Sequence, residues 1–261
     1  MLISLIVTTY NRPDVLSLVL KSIENQVMKP FEVIVADDGS DKRTQRVLED
    51  CSNKLSFKII HSFQRDKGFR ASRSRNKAIA KANGDYIILI DGDMILQDEF
   101  IKDHHRNAKP GFFIQGSRVL LSELQTKLIL KKREVFLSFF SSGLKNRKNA
   151  IHSNILSSLF SSEGSNIRGI KTCNLAFFKN DCIRINGFNN DFIGWGREDS
   201  EFALRLINTG IKRKNLKFNA IQYHLWHQES NKKSLSFNDE ILNNTKNNNL
   251  KWCKNGIDNF L

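Results

Sequence analysis

Two carboxylates, Asp91 and Asp93, stand one glycine apart at the end of an apolar run, Tyr86-Ile87-Ile88-Leu89-Ile90. Side by side they repel, and drying them is costly unless a positive charge is present. A divalent cation meets that need, and hard oxygen ligands suit Mg²⁺ or Mn²⁺. Taken alone, the tripeptide also fits a solvated turn that closes a strand. A second acidic pair, Glu198-Asp199, follows Gly194-Trp195-Gly196-Arg197. These carboxylates could cap a helix or accept a proton from an attacking hydroxyl. His224 and His227 lie three residues apart near the end, and a neutral imidazole from either could complete a metal site. Arg65, Lys67, Arg70, Arg73, Arg75 and Lys77 cluster around a glycine turn that opens a helix. Such a stretch suits phosphate, or else forms a solvated basic face. Together these groups fit displacement of a phosphorylated leaving group, in which a metal and arginines stabilise the developing negative charge.

The elements that must position these groups alternate. Residues 2–9 and 31–36 read as strands, with a helix over 14–26 between them and Pro13 suited to its first turn. A helix over 42–51 and a strand over 57–62 follow. Residues 86–90 are apolar without alternation, so the strand is expected to be buried on both faces, as in a mostly parallel sheet. Helices are expected over 98–107 and 200–209, the latter ending at Gly210. Strands are expected over 111–119, 172–178 and near 220–223, and a helix over 239–252. The order predicts right-handed crossovers and an α/β, Rossmann-like doubly wound mixed sheet with helices on both faces. Ligands in such sheets bind beyond the carboxyl ends of the strands, where Asp91-Gly92-Asp93 falls.

The chain has 261 residues, a length that suits one large domain. Its net charge of +14 predicts anionic partners such as nucleotides, nucleic acid or an acidic membrane surface. The absence of a long apolar run argues against a membrane-spanning helix, and Asn11-Arg12-Pro13-Asp14 interrupts any leader-like pattern. A cytoplasmic protein is expected, peripheral at the inner membrane. Cys51, Cys173, Cys182 and Cys253 lack paired metal-ligand spacing and read as reduced structural thiols. From 120 to 167 apolar residues mix with Lys127, Lys131, Lys132, Arg133, Lys145, Arg147 and Lys148. That segment is expected to be a helical insertion that either covers the core or lies on an anionic bilayer.

Four segments in this order carry a resemblance: Val7-Thr8-Thr9-Tyr10-Asn11-Arg12; Glu32-Val33-Ile34-Val35-Ala36-Asp37-Asp38-Gly39-Ser40; the stretch from Gly84 to Asp93; and Gly194-Trp195-Gly196-Arg197-Glu198-Asp199. The chain resembles family 2 inverting glycosyltransferases of the GT-A fold. Its later half is similar to the galactosyltransferase-type module of chondroitin polymerases and β-1,4-galactosyltransferases. The resemblance covers most of 1–120 and 170–230. It implies a nucleotide-sugar-binding half over 1–120 and an acceptor and catalytic half over 168–230; it fails over the helical insertion, 121–167, and over the tail, 231–261, which from its own residues is expected to be basic and helical.

By the same resemblance the donor is a UDP-sugar and the cofactor Mn²⁺ or Mg²⁺. Thr8, Tyr10, Arg12, Asp38, Arg75, Asp91 and Gly92 would line the nucleotide-sugar site. Asp93 and His227 would hold the metal, with His224 competing for the second place. Asp199 matches the catalytic base, Glu198 its acceptor-binding neighbour, and Trp195 would stack on a sugar. Arg197 stands where many relatives have glycine. The acceptor implied is a cell-surface glycan or lipid-linked saccharide, and the sugar a hexose or N-acetylhexosamine, galactose-type over glucose-type. Nucleic acid is not an expected partner. Transfer of one sugar is expected, because the chain is too small for two transferase domains. The rivals are a nucleotidyltransferase on a related architecture and a non-catalytic glycan- or nucleic-acid-binding module.

Overall fold

The structure is a computed structural model that describes residues 1–133, 135–228 and 234–261. In chain order its first half runs β1 (Ile3–Thr9), α1 (Pro13–Glu24), β2 (Glu32–Asp37), α2 (Lys42–Ser52), β3 (Ile59–Phe63), α3 (Ala71–Lys81) and β4 (Tyr86–Asp91). It continues through β5 (Met94–Leu96), α4 (Phe100–Asn107), β6 (Phe112–Gln115), β7 (Val119–Leu120), α5 (Glu123–Lys132), α6 (Asn154–Phe160) and β8 (Ser162–Gly164). The remainder is β9 (Leu175–Phe178), α7 (Lys179–Arg184), α8 (Glu198–Asn208), β10 (Lys212–Asn215), β11 (Gln222–His224) and α9 (Leu235–Asn247).

Among the described residues, eight strands form a mixed sheet in the order β3-β2-β1-β4-β9-β6-β10-β8. The first four are parallel; β9 runs antiparallel between β4 and β6. β4 shows why its sequence lacks polar alternation. Tyr86, Ile88 and Ile90 pack into one core and Ile87 and Leu89 into another on the opposite face. Successive side chains of a strand point to opposite faces, so a strand covered on both sides must be apolar throughout. The helices supply the cover: Leu16, Val19, Leu20 and Ile23 of α1 on one face, Phe202, Ala203 and Leu206 of α8 on the other.

A small sheet, β5-β11-β7, stands beside the large one. The expected strand over 111–119 divides between the two sheets, as β6 and β7. The segment expected as a helical insertion contributes α5 and α6, but it also returns to the main sheet as β8, antiparallel to β10. α5 buries Ile129 in a third core with Val15 and Leu18 of α1, Val119, Tyr223 and Leu225. The last α-helix among the described residues is Leu235–Asn247, earlier than expected, and residues 231–233 of the expected tail lie outside those described. The chain beyond it is packed down. Ile257 is fully buried, and Asn186 Nδ2 donates to the Cys253 carbonyl at 2.8 Å. The four cysteines are unpaired thiols. No helix among the described residues is long and apolar enough to cross a membrane.

Candidate active site

The carboxyl ends of β1, β2 and β4 lie side by side, because parallel pairing sets Thr8 opposite Asp91 and Thr9 opposite Asp37. Thr8 Oγ1 donates to Asp91 Oδ1 at 3.0 Å. Gly92 N donates to the Thr8 carbonyl at 2.7 Å, and a Cβ on Gly92 would sit 2.5 Å from that same oxygen. Only glycine lets the backbone come this close, which explains its place between the two aspartates.

Asp93 is the focus of the site. It is 8% exposed, and Arg12 Nη1 donates to its Oδ2 at 3.0 Å. His227 Nε2 and His224 Nε2 lie 3.3 and 3.6 Å from the same oxygen. The small sheet places them: β11 pairs antiparallel with β5, setting His224 opposite Met94, and Leu225 N donates to the Asp93 carbonyl at 3.0 Å. Sequence reading left the two histidines as competitors; the fold brings both to Asp93. Asp93 Oδ1 is buried without a hydrogen-bond partner. A buried carboxylate with one oxygen unpaired and two imidazoles beside the other is a donor set that fits a divalent cation. Burial would raise the Asp93 carboxyl, but His224, Arg12 and His227 outweigh it and hold the group below the usual carboxylate range. Asp91 moves the other way: burial raises it, Arg75 offsets part, and the charge of Asp93 adds to the rise.

The second carboxylate pair faces the first across one arginine. Arg75 is 4% exposed; its Nη1 lies 3.2 Å from Glu198 Oε1 and its Nη2 3.7 Å from Asp91 Oδ1. The Arg75 guanidinium, expected near the nucleotide or its phosphates, lies buried between Asp91 and Glu198. Glu198 and Asp199 open α8, where carboxylates complement the helix dipole. Asp199 Oδ1 accepts from Ser200 N at 2.7 Å. Burial, and then the neighbouring charge of Glu198, push the Asp199 carboxyl up to about 7, against a smaller opposing pull from Arg75. A carboxylate poised near neutral pH can take a proton late in a displacement.

The loop before α8 carries Trp195, which is 42% exposed. Gly194, Gly196 and Arg197 all have left-handed backbone, with φ of 74°, 110° and 75°. Arginine in the glycine-type position carries strain, and its Nε is held by Asp239 Oδ1. Asn238, fully buried on α9, donates to the carbonyls of Gly196 at 2.9 Å and Ile193 at 3.3 Å. Gly194 N donates to the Phe69 carbonyl at 3.0 Å, joining the loop to the basic turn. Sequence reading missed Asn238, since an asparagine in an Asn- and Lys-rich tail carries no local signal.

Tyr10 and Asp38, also expected in the donor site, directly follow β1 and β2. Tyr10 is exposed and its hydroxyl donates to Asp66 Oδ2 at 2.8 Å. Asp38 accepts from Arg70 N at 2.7 Å and from Gln64 Nε2, and burial raises its carboxyl. Asp66 carries no local signal, because a lone aspartate in a basic run reads as charge balance.

Two carboxylates at the carboxyl end of the central strand, with two histidines beside them from the small sheet, thus face a second acidic pair across Arg75. A family model described as Glycosyl transferase family 2 matches residues 4–160, and the chain belongs to that family. The model for the N-terminal domain of galactosyltransferase matches 155–228. Hyaluronan synthase of Pasteurella multocida is 31% identical over 236 residues, covering 80% of this chain and 23% of that protein. Chondroitin synthase of Escherichia coli is 25% identical over 244 residues, covering 85% of this chain and 34% of that one. The chain therefore spans about a quarter to a third of these relatives' lengths. The structure of Staphylococcus aureus TarS 1–349 in complex with UDP aligns with a TM-score of 0.63 at 20% identity, over 93% of this chain and 64% of that one, which shows the shared fold.

Proposed function

We propose that this glycosyltransferase moves one sugar, a hexose or N-acetylhexosamine and galactose-type before glucose-type, from a UDP-sugar to a hydroxyl of a cell-surface glycan or lipid-linked saccharide. The whole chain acts as one GT-A unit. Residues 1–120 bind the donor, 168–230 hold the acceptor, and the insertion and tail brace them. Asp93, His224 and His227 would hold Mn²⁺ or Mg²⁺, which when bound neutralises charge on the diphosphate. Tyr10, Asp38 and Asp66 would receive the uridine, with Thr8 holding Asp91 in place. Trp195 and Glu198 would bind the acceptor. The acceptor oxygen forms its bond to the anomeric carbon as the carbon–oxygen bond to the diphosphate breaks. The hydroxyl proton passes to Asp199, the electron pair leaves with UDP, and the configuration inverts. The enzyme works in the cytoplasm, peripheral at the inner membrane.

The observation that carries this reading is the pair of carboxylate sites with Arg75 between them, each tuned differently: Asp93 held ionised, Asp199 poised near 7. The test is thermal stabilisation and slow hydrolysis across a panel of nucleotide sugars, with Mn²⁺ and with chelator. Ligands that bind only the folded state raise its melting temperature by mass action. Metal-dependent stabilisation by UDP, with hydrolysis of one UDP-sugar, is the expected result. Pyrophosphate released from a nucleoside triphosphate would instead establish the nucleotidyltransferase. Binding of glycan or RNA indifferent to both metal and UDP would leave a binding module.

A further inference from the structure

The segment over 123–148 turns apolar side chains outward where a core would draw them in. Leu124 is 71% exposed, Phe136 65% and Phe140 88%, and Leu128 is exposed as well. On α5, Leu124, Lys127, Leu128 and Lys131 recur at helical spacing on the outer face, while Thr126 and Ile129 are buried against the body. Phe140 is held out, because the turn that presents it is built. Ser141 N donates to the Ser138 carbonyl at 3.0 Å, and Ser142 Oγ donates to Gln125 Oε1 at 2.9 Å, tying the turn to α5. Arg147 stacks over the Phe139 ring, 5.6 Å from its centroid, and donates to the Phe139 carbonyl.

Cations surround these side chains. Lys127, Lys131, Lys132, Arg133, Lys145 and Lys148 are all exposed. From the sequence, the stretch holds seven cations, adding Arg147, against the two acids Glu123 and Glu134, a balance of +5. An apolar face rimmed by lysines matches an anionic bilayer on both counts. The rings and leucines enter the acyl boundary, and the ammonium groups meet lipid phosphates.

The geometry points to the outer face of α5 together with the 136–140 turn as a docking surface for an anionic phospholipid bilayer. The inner face of the same helix supports the active site: Trp226 N donates to Thr126 Oγ1 at 2.8 Å, and His227 is the next residue. Docking would thus hold the Asp93 cluster on the far side of α5 from the lipid headgroups. A lipid-linked acceptor would then meet the site without leaving its membrane. This names the surface behind the membrane placement proposed above, and its test does not depend on the transferase reading.

The experiment is flotation of the full chain with phosphatidylcholine vesicles, with and without phosphatidylglycerol, at low and high salt. The expected result is binding that requires phosphatidylglycerol and weakens with salt. Lys127→Glu/Lys131→Glu and, separately, Leu128→Ser/Phe140→Ser should each reduce it by about tenfold or more. These positions are exposed and outside the site, so circular dichroism and vesicle-free hydrolysis should match the parent. No binding by the full chain, binding that ignores phosphatidylglycerol, or binding that survives both double variants would overturn the proposal. So would sedimentation showing a dimer that the Leu128→Ser/Phe140→Ser variant dissolves, since the face would then serve a second copy of this chain.

Discussion

The proposed donor side and the proposed acceptor side of this site are built in different ways. Asp91 and Asp93 sit at the end of a central strand, and the ladder between β1 and β4 fixes them with Thr8 and Gly92. Glu198 and Asp199 sit at the start of a helix, after a loop whose left-handed residues have no ladder to hold them. That loop is propped by side chains from far along the chain: Arg75, Asn238 and Asp239. A side chain on a strand inherits the rigidity of the sheet, whereas one on a loop depends on its supports. Damage to the strand-borne side should therefore act through lost chemistry, and damage to the supports of the loop-borne side through lost position.

The sharpest test is Asp93→Ala. It removes the focus of Arg12, His224 and His227, and transfer should fall by about a thousandfold or more in steady-state assays. Undiminished transfer would sink the proposed role of Asp93. Next is Asp199→Asn, for which a fall of roughly 10²- to 10⁴-fold is expected. In the parent, transfer should climb as pH rises through about 7 and then level off, because the proposed base must be ionised. The stability effect has the opposite sign. A carboxyl raised above its unfolded value adds stability at low pH, and that contribution is lost as pH rises through about 7. Asp199→Asn should therefore melt higher than the parent at pH 8 while being far less active. A variant that is both inactive and less stable at pH 8 would show that the carboxylate is a structural cap.

Asn238→Ala breaks the comparison from the acceptor side. It leaves the carbonyls of Ile193 and Gly196 without their donor, so the acceptor KM should rise by about tenfold while UDP binding by calorimetry stays unchanged. Equal losses in both would mean that α9 supports the whole fold. The smallest effect concerns the brace between insertion and body, where His152 Nε2 meets Asp103 Oδ2 at 2.9 Å. The Asp103 hydrogen bond raises the His152 imidazole against the effect of burial. The pair thus stabilises below the unfolded value of 6.5, and that stability is lost as pH rises through the folded value. His152→Gln should flatten this part of the melting-temperature profile and leave the Asp199-dependent rate profile in place.

Legibility follows the same divide. Asp91-Gly92-Asp93 could be read because a doubly buried strand must be apolar and its end must be marked. Glu198-Asp199 could be read as an acidic pair, but its partner Arg75 lies 123 residues away. Asp66 and Asn238 gave no signal, because each acts through side-chain bonds to residues distant in the chain. The strand expected over 111–119 split because its two ends pair with different sheets, a choice made by neighbours and not by propensity.

The sequence by itself determined the alternation of strands and helices, the buried central strand, the carboxylates at its end and the excess of positive charge. Each depends on residues close together in the chain or on composition. Only the tertiary structure decided that both histidines reach Asp93, that Arg75 lies between the two acidic pairs, and that α9 holds the Trp195 loop. Contacts between residues so far apart exist only once the sheets and helices have packed, and no local spacing encodes the distance between them.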